Sequence, residues 1–129
     1  MKRSVIRIGL SAIYAAAGTL HLVLPAPFVS IVPPWVPEPR LIVAATGVAE
    51  LAGAACLAQT ISPTLRKAAG WGLAAYALCV WPANFQHMLI DMRSPDQGLR
   101  LAYHIPRLLL QPVLIWLPLW AAGITFRKR

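Results

Sequence analysis

The sequence predicts an all-α fold, a four-helix bundle integral to a membrane with a proline-rich outer loop between its first two helices. Three observations carry that expectation. Of the 129 residues, 58% are hydrophobic and only 12% charged, where soluble globular chains carry roughly 25% charged residues. The charges are also concentrated: the runs Ile8 to Pro37, Leu41 to Leu65, Ala68 to Ile90 and Leu101 to Phe126 hold only Glu50 and Arg107. Each run exceeds the ~20 apolar residues that a helix needs to cross a bilayer. Finally, the runs are continuous and rich in Ala, Leu and Gly, whereas a membrane strand is ~10 residues of alternating polarity.

Residues 1–129 read as one domain, because the connections leave no room for a soluble one. The first helix is expected over about 4–24. Six of the twelve prolines fall between Pro25 and Pro39, which rules out a continuous helix there. Phe28, Ile31, Val32, Trp35 and Val36 make that loop too apolar for free water, so it should lie at the outer interface or fold over the bundle mouth, with Trp35 as an anchor. The second helix, about 40–60, has Ala49 and Gly53 spaced for close helix approach. After Ser62 and Pro63 the third runs over about 65–90, and a polar loop leads to the fourth, about 101–125.

A formal charge of +8 raises the possibility of nucleic-acid binding, but the basic residues sit at the helix ends, not along one soluble face. They read as topology signals. One side collects Lys2, Arg3, Arg7, Arg66, Lys67, Arg127, Lys128 and Arg129, while the other has Arg40, Arg93 and Arg100 beside Glu38, Asp91 and Asp96. The positive-inside rule then places both termini in the cytoplasm of a bacterial-type plasma membrane. A cleavable signal peptide is disfavoured, because the cut would fall at Pro25 and Ala26 where a small residue is wanted. Cys56 and Cys79 lie at different depths, so no disulfide is expected between two small buried thiols, and no Cys-x-x-Cys or cysteine metal site exists.

The remaining polar residues gather toward the outer half. His21 closes the first helix, Asn84 and His87 end the third, His104, Arg107 and Gln111 occupy the start of the fourth, and Glu50 lies near the middle of the second. Their spacings put each set on one helix face: Tyr14, Gly18 and His21 at i, i+4, i+7, and His104, Arg107 and Gln111 at i, i+3, i+7. Glu50 and Arg107 should turn inward to avoid lipid and are expected to pair, directly or through Gln111 or water. Pro82, Pro106 and Pro112 free the carbonyls of Leu78, Ala102 and Leu108, as a buried ligand site can exploit. Glu50 and Arg107 are the candidate catalytic residues, and His21, Asn84, His87, His104, Gln111 and Tyr14 the candidate ligand-binding ones. The bland alternatives are interfacial histidines and amides that tie helices together.

The order of motifs adds a resemblance. Tyr14, Gly18 and His21 come first, then Pro25, Phe28, Ile31, Val32, Pro33, Pro34 and Pro37. They are followed by Gly47-Val48-Ala49-Glu50, Pro82-Ala83-Asn84, and Arg107-Leu108 with Gln111. Over nearly the whole chain this resembles the DoxX-like family of small four-helix membrane proteins, which also contains relatives of eukaryotic membrane chaperones for receptor assembly. The chain departs from it in helix four, where the family usually reads Arg-Leu-Pro-Leu-Gln and this sequence has Arg107-Leu108-Leu109-Leu110-Gln111 between Pro106 and Pro112. The resemblance implies the fold and a link to quinone-reducing or redox-complex subunits.

Two functions follow as expectations. In the first, the outer-half pocket holds a quinone, with histidine and arginine bonding its carbonyls and Glu50 relaying a proton. In the second, the protein is a non-enzymatic assembly or chaperone-like protein whose polar cluster is structural. Haem b between two of His21, His87 and His104 is a weaker option. A transporter is weaker still, since it would need a dimer. The expected partners are the lipid bilayer and a membrane protein or a second copy of the chain.

Overall fold

The computed structural model describes residues 1–124, all helix and loop, with no strand among them. The chain is all-α: α1 (Lys2–Val23), α2 (Ala26–Val29), α3 (Pro39–Ala58), α4 (Pro63–Arg93) and α5 (Arg100–Ala121). Four long helices therefore stand where four were expected, and one short helix, α2, lies inside the proline-rich loop. Thr125, expected to end the last helix, and the basic residues Arg127, Lys128 and Arg129 lie outside the described residues.

Local chemistry sets the boundaries. Pro39 at the start of α3 and Pro63 at the start of α4 occupy positions whose amides need no helical partner. Ser62 caps α4, its hydroxyl accepting the Leu65 amide at 3.2 Å. Gln59 braces the turn before it, donating to the Cys56 and Ser62 carbonyls and accepting from the Ser62 amide. Helix α5 stops earlier than expected because Gly123, at φ 88°, closes a Schellman motif. The Ile124 amide returns to Leu119 and that of Gly123 to Trp120. The interior prolines Pro82, Pro106, Pro112 and Pro118 leave α4 and α5 each unbroken.

Two pairs of helices make the bundle: α1 packs chiefly on α3 and α4 on α5, with α3 joining α4 between the pairs. Backbones come closest where Gly18 of α1 meets Gly47 of α3, since a Cβ on Gly18 would lie 2.7 Å from the Gly47 carbonyl oxygen. This contact, and not one through Ala49, makes α3 central; Ala49 is exposed, while Gly53 accommodates Leu73 of α4. The apolar core, with Leu10, Tyr14, Ala54, Leu57, Leu73 and Ala121, fills the half of the bundle nearest the N-terminus of α1.

At that same end Arg7, expected only as a topology signal, is 8% exposed and folds onto the last carbonyls of α3. Its Nη1 donates to Leu57 (2.8 Å), Ala58 (2.5 Å) and Gln59 (3.3 Å). A cation here satisfies orphan carbonyls and opposes the partial negative charge of a helix C-terminus.

The outside of the bundle is apolar. Val5, Ile13, Val23, Leu41, Val48, Leu65, Trp71, Leu78, Leu109 and Trp116 are among the large side chains left exposed. By length and composition α1 and α3 are apolar enough to cross a membrane. The other two long helices fall short of that measure, diluted by Trp, Tyr, Pro, His, Asn and Gln at interior positions.

Candidate functional site

Between the helix pairs lies a cavity of about 510 Å³, within the usual range for a small-molecule site. Helices α1, α3, α4 and α5 wall it with Ile13, Ile42, Val80 and Leu114, among other apolar side chains, and the proline-rich loop contributes Phe28, Ile31, Val32, Pro33, Trp35 and Val36. The loop thus lies against the cavity, as its composition suggested. Trp35 is mostly exposed while also touching it. Polar groups enter at Tyr14, His21, Thr46, Glu50, Tyr76, Asn84, Arg107 and Gln111.

Glu50 is the most demanding of these, being 3% exposed. The Gly18 and Gly47 contact brings α1 and α3 close enough to set His21 Nδ1 3.0 Å from Glu50 Oε2. That nitrogen also lies 2.8 Å from the Ala17 carbonyl, one helical turn back, and its single hydrogen is directed there. Glu50 Oε2 consequently has no hydrogen-bond donor. The other support of the carboxylate is the Tyr76 hydroxyl of α4, whose ring lies edge-on to Tyr14 at 6.3 Å. Phe28 of the loop stacks on the His21 ring at 3.9 Å, so the loop is seated on the same imidazole that adjoins the carboxylate.

The expected Glu50 to Arg107 pair does not form. Glu50 turns toward α1 because α3 packs on α1, whereas Arg107 turns toward α4 because α5 packs on α4. Arg107 Nη1 instead donates to His87 Nδ1 at 2.9 Å, and its guanidinium lies 5.6 Å from the Tyr103 ring centroid. Asn84 and Gln111 close on each other: Asn84 Nδ2 donates to Gln111 Oε1 at 3.0 Å, and Gln111 Nε2 donates to the Ala77 carbonyl. This satisfied pair clamps α4 to α5.

The single outer pocket expected from sequence is therefore two centres, bridged by Arg107. His87 and His104 do not line the cavity. They belong to a cluster where α4 leads into the α4 to α5 turn, around Asp91, expected only as an outer-side charge although it stands four residues beyond His87 on the same helix face. Asp91 Oδ2 accepts from His104 Nε2 at 2.8 Å and from the Leu99 amide at 2.9 Å, and His87 Nε2 lies 3.7 Å away. These bonds, the Leu99 amide above all and then the His104 ring, hold the Asp91 carboxyl below the ordinary carboxylate range. The turn is strained where it wraps that carboxylate, with Gln97 and Arg100 in the left-handed region at φ 58° and 62°. His104, on the inward face that its spacing predicts, is 0% exposed and its Nδ1 has no partner.

His87, Asp91 and His104 offer three ligand atoms within 4.8 Å of one another, the donor set of a two-histidine, one-carboxylate metal site. Their surroundings fit such an ion poorly. A ligating imidazole usually donates its second N–H to an acceptor, yet the second nitrogen of His87 faces the Arg107 guanidinium and that of His104 faces no partner. For haem, the rings of His87 and His104 meet edge to face at 4.9 Å, leaving no porphyrin-wide gap, and His21 is engaged between α1 and α3.

Cys56 and Cys79 are free thiols; Cys56 is half-buried and Cys79 exposed at the cavity wall, so they are less enclosed than expected. Tyr76 was missed as a site residue because its distance from Glu50 is a matter of how α3 meets α4, not of any motif.

No curated protein and no solved structure matches the chain. Residues 10–124 match a family model, and the chain accordingly belongs to the family described as Domain of unknown function (DUF8561).

Proposed function

We propose that this chain is a four-helix integral membrane protein with cytoplasmic termini, whose cavity binds a quinone or a similar lipophilic carbonyl compound as part of a membrane redox process. The membrane reading is supported by two helices of spanning length, by the exposed apolar side chains on all four long helices and by the near absence of charge between helix ends. The DoxX-like order of motifs supports both the membrane fold and the redox link. On this reading the bilayer covers residues 68–90 of α4, and Asp91 stands just outside it.

The observation that carries the ligand reading is Glu50: a carboxyl almost wholly buried at an apolar cavity, with one oxygen lacking a donor. Protonated, it has a hydrogen to give to a carbonyl oxygen in the cavity, and Tyr76 and His21 hold it in place. Reduction of a quinone takes two electrons, here from a redox partner protein, and two protons, of which Glu50 can hold one. Arg107 lines the cavity and presents a cation to a second carbonyl oxygen.

The test is binding of a short-chain ubiquinone analogue to the detergent-solubilised protein, followed by tryptophan fluorescence, in wild type and Glu50→Leu, since a Gln amide would still donate to the carbonyl. A loss of about tenfold or more in affinity, with the unfolding temperature unchanged, is expected from removing one well-placed hydrogen bond. Equal binding in both would defeat the reading. The Asn84 and Gln111 clamp favours the assembly or chaperone-like alternative in one respect, since part of the polar set is already spent on helix packing. In that case Glu50→Leu lowers folding yield and the analogue has no effect on either form.

A further inference from the structure

A second pocket, of about 170 Å³, opens at the other end of the bundle, where α1 and α4 begin and α5 ends. Arg3, Ser4, Arg7, Arg66, Ala122 and Gly123 line it. Three arginines line this small space, and none has an aspartate or glutamate opposite it. The four acidic residues of the chain lie elsewhere: Glu38 immediately precedes α3, Glu50 lies within α3, Asp91 stands in the last turn of α4 and Asp96 in the loop after it. Among the described residues, the ion pairs involve only histidines.

Arg7 makes the charge permanent in the wall of the pocket. It is more than nine-tenths buried and pinned to the α3 carbonyls by Nη1, so it cannot swing into water to lose its field. The α3 carbonyls offset that charge only as partial charges, and no carboxylate pairs with it among the described residues. Arg3 is held over the Trp120 ring at 5.1 Å, and Arg66 stands half-buried in the second turn of α4, so the pocket has two further arginines at its mouth. Planar guanidinium forks match phosphate oxygens geometrically. Next to the pocket, Met1, Val5 and Ile6 are exposed apolar side chains, and Trp116 and Trp120 stack at 5.9 Å in the manner of interfacial aromatics.

We propose that this pocket binds the phosphate of an anionic phospholipid headgroup, Arg3 and Arg66 grasping it while Arg7 supplies a fixed charge behind it. The inference rests on the membrane reading above, which puts this end at the cytoplasmic headgroup level, where basic pockets between helices recognise such lipids.

The experiment follows thermal unfolding of the full chain in neutral detergent with added phosphatidylglycerol, phosphatidylcholine or inorganic phosphate. Phosphatidylglycerol is expected to raise the midpoint, and the other two to leave it unchanged. In the double variant Arg3→Gln/Arg66→Gln the half-effective phosphatidylglycerol concentration should rise about tenfold or more. The double variant Lys2→Gln/Lys67→Gln, which removes the same charge outside the pocket lining, should lose less than about threefold. Equal losses in the two variants, or equal protection by phosphatidylcholine or by inorganic phosphate, would overturn the proposal. Native mass spectra of the wild type give a reading independent of the variants: one retained phosphatidylglycerol is expected, and none retained counts against the site. Carbonate washing of membranes separates the two ideas, since a chain that stays in membranes but shows no lipid preference refutes this proposal alone.

Discussion

His21 Nδ1 stands 3.0 Å from Glu50 Oε2 but gives its hydrogen to the Ala17 carbonyl 2.8 Å away. The imidazole therefore steers the carboxylate without satisfying it, and the oxygen is left buried without a donor. That arrangement depends on two glycines, Gly18 on α1 and Gly47 on α3.

Gly18→Ala is expected to destabilise the protein by about 1–3 kcal/mol through overpacking, since the new methyl would lie 2.7 Å from the Gly47 oxygen and 3.0 Å from Glu50 Cβ. Gly72→Ala, where nothing lies within 4 Å, should be neutral or stabilising by up to ~1 kcal/mol through helix propensity. Thermal unfolding in detergent distinguishes them, and equal midpoints would mean that the helices do not meet at Gly18.

Gln111→Leu leaves the buried Asn84 amide without its acceptor, at an expected cost of about 1–3 kcal/mol. The double substitution with Asn84→Leu should recover part of that loss, because two apolar partners leave nothing unsatisfied. A strictly additive double variant would show that the clamp is not a coupled pair.

Arg7→Leu should cost about 2 kcal/mol or more, since hydrogen bonds from a charged donor contribute ~1.5–3 kcal/mol each and Nη1 serves three carbonyls. Arg7→Lys should recover only part. Hydrogen exchange places the effect: the last turn of α3 is expected to lose protection before the rest of the bundle, and uniform loss would argue against a cap.

Asp91 supplies the pH dependence. Its pKa is lowered in the folded state, so its contribution to stability is complete above the ordinary carboxylate value of about 3.9 and disappears as pH falls through the lower folded value. Carboxyl carbon shifts in detergent should titrate below about 3.9. His104→Gln should move the midpoint upward yet leave it depressed, because the Leu99 amide, the larger cause, remains. An unshifted midpoint in the wild type would remove Asp91 from its place in the turn.

Much of the architecture was legible in the sequence because its signals are local. Serine and proline at 62 and 63, the apolar runs and the nearly charge-free interiors mark helices whose starts differ from expectation by only a residue or two. The i, i+3, i+4 and i+7 spacings correctly identified inward faces at Tyr14, Gly18, His104 and Gln111, all buried. The early stop of α5 was also readable in principle from Gly123, whose left-handed conformation ends the helix.

What the sequence by itself determined is thus an all-helical chain, an apolar exterior and one polar stripe on each of α1 and α5, since these follow from propensity and period within single helices. Only the tertiary structure decided which stripe faces which. Glu50 meets His21 and Tyr76 instead of Arg107, and Arg107 meets His87, because Gly18 and Gly47 draw α1 onto α3 while Asn84 and Gln111 draw α5 onto α4. A helix's own sequence specifies its faces, but partner choice depends on close approach between backbones far apart in the chain. That is the physical reason the deep carboxylate and the deep cation, the two residues most in need of partners, found different ones.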